Sequence, residues 1–322
     1  MARHFTATEV RESIPLRAAI EAVEEAFRAW HAGKLGSPVS VGISVPDGSF
    51  HVKACAGPGS AGGLFVAKVN SNFPGNRACD GLATIQGVIA VFDTTHGRLR
   101  ALVDSPSVTA LRTAATTATA IRHLARPGAR TAALAGCGAL GDLHLEALAI
   151  CGMEKVYVFD RVAARAGEAA RRAQGIHGLD CRAVDDFRQA ALAADVVVTC
   201  TTSSTPFLGR EDVRPGTLVA AVGADSERKA EIAASLLDSA RIVTDLTEQC
   251  RKIGDLRNGV PGEAFVCGEL AEAVAGRIAR TGPEEVVLFD STGLALEDLA
   301  LCALLLRPRS GFPGPAAARA SS

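Results

Sequence analysis

The chain has almost no net charge: 34 lysines and arginines stand against 35 aspartates and glutamates in 322 residues, a formal charge of −1. The basic residues are scattered among the acidic ones, so nothing points to nucleic acid or an anionic membrane as a partner. Long apolar runs are missing too. No stretch reaches the roughly 20 residues of a membrane-spanning helix, and the N-terminus, MARHFTATEV, lacks the apolar core of a signal peptide. A cytoplasmic protein is therefore expected. Nine cysteines, at 55, 79, 137, 151, 181, 200, 250, 267 and 302, form no C-x-x-C pair and no metal-like cluster with histidine. Cys137, Cys151 and Cys200 lie in apolar stretches and read as small core residues in a reducing compartment, with no metal site expected. No internal repeat is visible. What remains is a globular chain, 48% hydrophobic and 21% charged, long enough for two domains with separate cores.

The most informative stretch is Thr131 to Asp160. A short apolar run, Thr131 to Ala135, meets Gly136, Gly138 and Gly141 in G-C-G-A-L-G spacing, and Leu140, Leu143, Ala147 and Ile150 then recur at helical intervals. A second apolar run, Val156 to Phe159, ends in Asp160. Strand, glycine turn, helix and strand with a terminal carboxylate make up a dinucleotide site. The first glycine permits the tight turn, the second lets the backbone approach a pyrophosphate, and the third lets helix and strand pack closely. The helix N-terminus offers unpaired N–H groups and a positive dipole end to the phosphates. Ala139 and Leu140 share that turn. Asp160 favours NAD, because a carboxylate accepting from both ribose hydroxyls would repel a 2′-phosphate. Arg161, next in the chain, could instead clamp that phosphate and leaves NADP open.

Upstream, Leu16, Ile20, Val23, Phe27 and Trp30 mark an amphipathic helix opened by Pro15. Short alternating runs follow at Ser40 to Val45, Phe50 to Cys55, Leu64 to Val69, Gly87 to Asp93 and Leu99 to Val103, which describes a mainly antiparallel sheet. Lys53 and Lys68 fall inside or at the end of such runs, where each is either solvated on an outer face or held against an anion. Val108 to Ala125 is an Ala- and Thr-rich helix with one early charge, Arg112, which either snorkels or meets an anion. The domain boundary is placed in or near this helix. Downstream, a helix over Val162 to Gln174 and strands at Cys181 to Val184, Val196 to Cys200, Leu218 to Val222, Arg241 to Thr244 and Val286 to Phe289 imply a parallel, doubly wound sheet. Ligands in such sheets sit outside the strand C-termini, which draws attention to Thr201, Thr202, Val222, Asp225 and Ser291. Asp225, at a strand end ahead of an expected helix, reads as readily as an N-cap. The tail from Arg307, rich in Pro, Ala, Ser and Gly, is expected to fray.

Together these residues resemble the ornithine cyclodeaminase and mu-crystallin family. The resemblance is carried by K-V-N-S-N-F-P-G-N at Lys68 to Asn76, T-A-L-R-T-A-A, H-L-A-R-P-G-A-R-T, G-C-G and H-L-E-A-L within Ser107 to Ala149, V-G-A-D followed by Lys229 and Glu231, and F-D-S-T-G-L-A-L-E-D-L at Phe289 to Leu299. It implies an α/β protein in which a substrate-binding and dimerisation domain, residues 1–118 completed by 294–322, joins a Rossmann domain, residues 119–293. It also implies a homodimer and NAD(P)-dependent chemistry at the Cα–N bond of a small amino or imino acid. The activity implied is that of a cyclic ketimine reductase or amino-acid dehydrogenase, with an ornithine cyclodeaminase-type lyase or a non-catalytic crystallin-like binder as alternatives. By the same resemblance Arg112 grips the substrate carboxylate, Lys68 contacts the carboxylate and the reacting centre, and Asp225 is the acid/base group at the substrate nitrogen.

Departures are visible. Where family members often carry an early arginine after proline, S-P-V-S-V supplies Ser40 or Val41, and Lys53 stands where many relatives have methionine. Lys53 is therefore expected to take over the missing carboxylate contact. Leu140-Gly141 replaces the family's frequent Gln-Ala, and D-S-E-R-K replaces D-x-P-G-K after Asp225.

Overall fold

The computed structural model describes residues 2–59, 62–76, 81–259 and 265–307. Cys79 and the tail beyond Arg307 lie outside them. Two sheets organise the rest. The first has six strands in the order β1 (Arg3–Phe5), β6 (Leu99–Asp104), β5 (Ile85–Asp93), β4 (Gly62–Asn72), β3 (Gly48–Gly59) and β2 (Val39–Val45). All its pairings are antiparallel except β1 with β6. Strand alternation gives this sheet two unlike faces. Leu64, Val66 and Lys68 of β4 point inward with Lys53 and Cys55 of β3, while Phe50, Phe65 and Val69 stay exposed on the other side.

The second sheet is wholly parallel, with eight strands: β13 (Val266–Glu269), β12 (Arg241–Thr244), β14 (Val287–Asp290), β11 (Leu218–Ala221), β10 (Val196–Thr199), β7 (Thr131–Ala135), β8 (Lys155–Phe159) and β9 (Asp180–Ala183). Its central strands are buried along their whole length, as a sheet covered on both faces requires. Strand order reverses at β7, which pairs with β8 on one side and β10 on the other, so the crevice for a ligand opens there. The periodicity did not mark β13.

Helix α3 (Ser105–Leu124) lies between the sheets, packing on α2 (Leu16–His31) and on α4 (Ala139–Ile150). It begins earlier than the Val108 expected from sequence, because Asp104 caps it by accepting from the Ser107 N–H at 2.9 Å. Its burial is possible because its threonines satisfy themselves within the helix. Thr113, Thr116, Thr117 and Thr119 each donate to the carbonyl four residues earlier, at 2.7 to 3.1 Å. The last helix, α10 (Ala295–Leu305), packs on β3, β4, α2 and α3 rather than on the parallel sheet.

Below the parallel sheet, Asp195 ties the chain leaving α3 to the starts of β7 and β10. It accepts from the N–H groups of Arg130 and Thr131, both at 2.9 Å, and from the Thr131 hydroxyl at 2.8 Å, and it pairs with Arg126 and Arg214. Burial acts to raise its pKa, but these donors outweigh it and the carboxyl lies well below the usual aspartate value. The contribution is present above the ordinary value of 3.8 and is lost as pH falls through the folded-state pKa. Replacing Asp195 by Asn should therefore cost roughly 3 kcal/mol, read as a lower urea midpoint at pH 7. The difference from the unaltered protein should narrow in acid.

Candidate active site

At the C-terminal ends of β7 and β8, the glycine turn forms an open cradle. Gly136 has φ +104°, and a Cβ there would lie 2.7 Å from the Cys200 carbonyl oxygen. Gly141 packs as tightly, since an added Cβ would lie 2.3 Å from the Gly136 oxygen. Gly138 is the opposite case: it caps α4 with no side-chain acceptor, and a Cβ would meet nothing within 4 Å. Gly138 and Ala139 are exposed, Leu140 half-buried. A floor without side chains at a helix N-terminus whose N–H groups lack a cap fits a pyrophosphate. Asp160, just after β8, accepts from the N–H groups of Cys137 at 3.0 Å and Val162 at 2.8 Å, which holds its carboxylate beside the turn. Arg161 is exposed next to it.

The other residues expected at the cofactor are distributed differently. Thr201 follows β10 beside the turn, and its N–H donates to Glu231 Oε1 at 2.6 Å; Thr202 is exposed. Val222 is buried. The Ser291 hydroxyl, also buried, donates to Asp245 Oδ2 at 2.9 Å.

The residues expected at the substrate converge where α3, α10 and β3–β4 meet the loops above the parallel sheet. Lys53 and Lys68 are cross-strand partners on the inner face of the first sheet, and both are buried. Lys68 Nζ pairs with Asp298 at 2.7 Å and also reaches Thr109 Oγ1 at 3.5 Å. Arg112 NH1 donates to Glu297 Oε2 at 2.9 Å, whereas its buried Nε finds no acceptor among the described residues. Neither residue snorkels or sits on an outer face.

Lys53 Nζ donates to the carbonyls of Thr292 at 2.9 Å and Gly293 at 2.7 Å, across 239 and 240 residues of chain. Burial, reinforced by the charges of Lys68 and Arg112, pushes its pKa down to about 8. The Arg112 guanidinium packs against Gly293, where a Cβ would be 2.1 Å from NH1 and where φ is +78°. Glycine is required there on both counts.

Asp225 is not followed by a helix, as its N-cap reading supposed: a turn follows, and the next helix starts at Ala234. Its Oδ1 pairs with Lys229 Nζ at 2.7 Å. Burial acts to raise its pKa, but Lys229, with Lys53 and His51 adding to it, makes the net shift downward. Half-buried His51, two residues from Lys53 on the same strand face, shares this field, with Nε2 3.1 Å from Ser49 Oγ.

The carboxylates that organise the site were not identified from sequence. Asp245 Oδ2 accepts from the N–H groups of Thr292 at 2.8 Å and Gly293 at 2.6 Å. Gln249 Nε2 donates to Thr292 Oγ1 at 2.6 Å. Glu297 and Asp298 sit fully buried in the first turn of α10. The adjacent Glu-Asp pair in L-A-L-E-D-L was the available signal, since acidic residues in so apolar a helix imply buried cations.

Strand order, glycine turn and acidic strand end define a dinucleotide-binding fold of the Rossmann type, joined to an antiparallel sheet through a buried charged cluster. Residues 3–307 match the model of the ornithine cyclodeaminase/mu-crystallin family, and the chain belongs to that family. It is 35% identical over 304 residues to the Delta(1)-pyrroline-2-carboxylate/Delta(1)-piperideine-2-carboxylate reductase of Azospirillum brasilense, covering 92% of this chain and 93% of that protein. An archaeal alanine dehydrogenase dimer with bound NAD superposes with a TM-score of 0.88 at 30% identity, covering 94% of each chain. The Delta(1)-pyrroline-2-carboxylate reductase of Thermococcus litoralis, in complex with NADH and L-proline, gives 0.88 at 27% identity, covering 94% of this chain and 96% of that one. The relatives are enzymes acting on amino or imino acids. Among the described residues no helix is long and apolar enough to cross a membrane.

Replacing Gly136 by Ala forces a side chain onto the Cys200 carbonyl at a positive φ, costing on the order of 1–3 kcal/mol in strain. NADH affinity, titrated by nucleotide fluorescence, should fall at least tenfold. Unchanged affinity would place the cofactor elsewhere.

Proposed function

We propose that the protein is an NAD-dependent imine reductase or amino-acid dehydrogenase acting at the Cα–N bond of a small amino or imino acid. The observation that carries this reading is the buried Arg112 guanidinium, whose Nε has no acceptor among the described residues although NH1 is engaged by Glu297. A buried unmet donor costs about 1–3 kcal/mol, and a substrate carboxylate meets it in the geometry a guanidinium prefers. Lys68 and Lys53 add charge on the same side. Lys53, bonded to carbonyl oxygens rather than to a carboxylate, supplies the contact that relatives draw from their early arginine.

Gly136, Gly138, Ala139, Leu140 and Gly141 hold the dinucleotide's pyrophosphate, and Asp160 meets the adenosine ribose, which favours NAD over NADP. When bound, the nicotinamide supplies or takes up a hydride at the substrate Cα. Asp225, held ionised at neutral pH by Lys229, faces the substrate nitrogen. A fixed carboxylate there stabilises the protonated imine, so the nitrogen carries its proton before reduction; in the oxidative direction the same carboxylate receives it. Arg112, Lys68 and Lys53 orient the substrate, which limits the reaction to α-imino and α-amino acids.

The substrate-binding part comprises residues 1–118 with α10, and the outer face of its sheet is the homodimer surface. Val39, Val41, Ile43, Phe50, Phe65 and Val69 stand exposed there, an apolar area of a kind that monomers rarely leave open. The family resemblance and the dimeric alanine dehydrogenase support a second copy of this chain as its cover.

Purified protein given NADH or NADPH with cyclic imines, or pyruvate with ammonia, should oxidise NADH in preference. Ammonia release from ornithine with NAD and no net cofactor change would instead mark a lyase, and neither outcome a binding protein. Lys53→Met should raise KM for the imine at least fivefold, and an unchanged KM would remove Lys53 from the substrate site. Ile43→Lys should shift the sedimentation coefficient from that of a dimer to that of a monomer.

A further inference from the structure

Along the C-terminal edge of the parallel sheet, three carboxylates hold one another's main chains in series. Asp290, the last residue of β14, accepts from the N–H groups of Asp255 at 3.3 Å and Leu256 at 2.9 Å. Asp255 accepts from those of Glu231 at 2.8 Å and Ile232 at 3.1 Å. Glu231 in turn accepts from the Thr201 N–H at 2.6 Å, the Gly223 N–H at 3.0 Å and the Thr199 hydroxyl at 2.7 Å. All three side chains are fully buried, an arrangement that costs stability unless the oxygens are well bonded; of the six, only Asp255 Oδ2 has no hydrogen-bond partner among the described residues.

The ends of this series fall at the two halves of the site. Thr201 follows Cys200, whose carbonyl abuts Gly136 of the glycine turn. Gly223 stands two residues before Asp225, and Glu231 two residues after Lys229, the partner of Asp225. One side chain therefore spans the cofactor turn and the charged pair at the substrate.

We propose that Glu231 is a positioning residue: through the N–H groups of Thr201 and Gly223 it fixes the separation between the glycine turn and the Asp225–Lys229 pair. It acts through those main-chain groups and not on the reacting atoms. Only the kinetic part of its test rests on the imine-reducing reading.

Glu231 is faced by Asp255, by the Cys200 thiol and by the hydroxyls of Thr199 and Thr201. Burial first, then the charge of Asp255, push its pKa up from 4.5 to about 7 against the donors from Thr201 and Thr199. Above that value the carboxylate accepts all three bonds. Below it, one oxygen carries a proton and must donate to Thr199, and the remaining grip weakens. Stability runs the other way. A carboxyl whose folded-state pKa is raised contributes stability that is complete below 4.5 and is lost as pH rises through about 7.

Hydrogen exchange read by mass spectrometry needs no cofactor. In Glu231→Gln, whose amide nitrogen must face one of two N–H donors, peptides spanning 199–203 and 221–225 should exchange at least tenfold faster, with β7 and β8 unchanged. Unaltered exchange, or a rise spread evenly over the sheet, overturns the proposal. Kinetically, Glu231→Gln should lower kcat at least tenfold while KM for the imine moves less than threefold. The wild-type profile of kcat should break near pH 7, and in Glu231→Gln that break should disappear while one set by Lys53, near 8, stays; persistence of the lower break overturns the assignment. Should Glu231→Gln fail to fold, Thr199→Val removes a single donor and should move the break upward; an unmoved break overturns it equally. If the wild-type protein reduces no imine, the proposed function fails by itself, and the exchange experiment still decides the role of Glu231.

Discussion

The turn Ser291 to Gly293 is gripped from both sides, and the rest of the site depends on that grip. Asp245 takes its N–H groups from within the parallel sheet, while Lys53 takes two of its carbonyls from the antiparallel one. A buried ammonium and a buried carboxylate thus meet across one turn of main chain instead of touching, and each is satisfied by peptide dipoles that it aligns. Gly293 leaves the Arg112 guanidinium room to lie against the same turn. Two of the three cations of the site, Lys53 and Arg112, are thus referred to a single structural point.

Charge burial around the site follows two separate rules. Cations of the first sheet and α3 are matched by carboxylates of α10, Lys68 by Asp298 and Arg112 by Glu297. The buried carboxylates Asp245, Asp290, Asp255 and Glu231 above the parallel sheet are matched chiefly by main-chain N–H groups. The first rule leaves donors over, at Arg112 Nε, which suits an anionic ligand. The second leaves none for a ligand but fixes loops, which suits a place where cofactor and substrate must be held at constant separation.

The six-stranded sheet serves two ends because strand alternation divides it. Its inner face carries Lys53 and Lys68, facing the parallel sheet's loops; its outer face is a run of valines, an isoleucine and phenylalanines. A one-residue slip of β3 against β4 would exchange the faces. Register, rather than composition, keeps the charges inside.

Local chemistry reached far in this chain. Gly136, Gly138, Gly141 and Asp160 sit within one strand–turn–helix–strand unit, so spacing alone located the cradle, and the family pattern singled out Lys68, Arg112 and Asp225. The pattern of apolar runs also recovered most strands, except β1, which has three residues, and β13, whose sequence V-C-G-E carries a glycine and a glutamate in place of an apolar run. What sequence could not reach were partners far apart in the chain. Lys53 meets Thr292 and Gly293 across some 240 residues, Glu297 meets Arg112 across 185, and Ser291, expected at the cofactor, turns inward to Asp245. By itself the sequence determined the strand–glycine turn–helix–strand unit, because that follows from short-range backbone geometry, while the family pattern supplied the candidate residues for the substrate. Only the tertiary structure decided which acid answers which base, because that depends on how two independently patterned sheets are brought together.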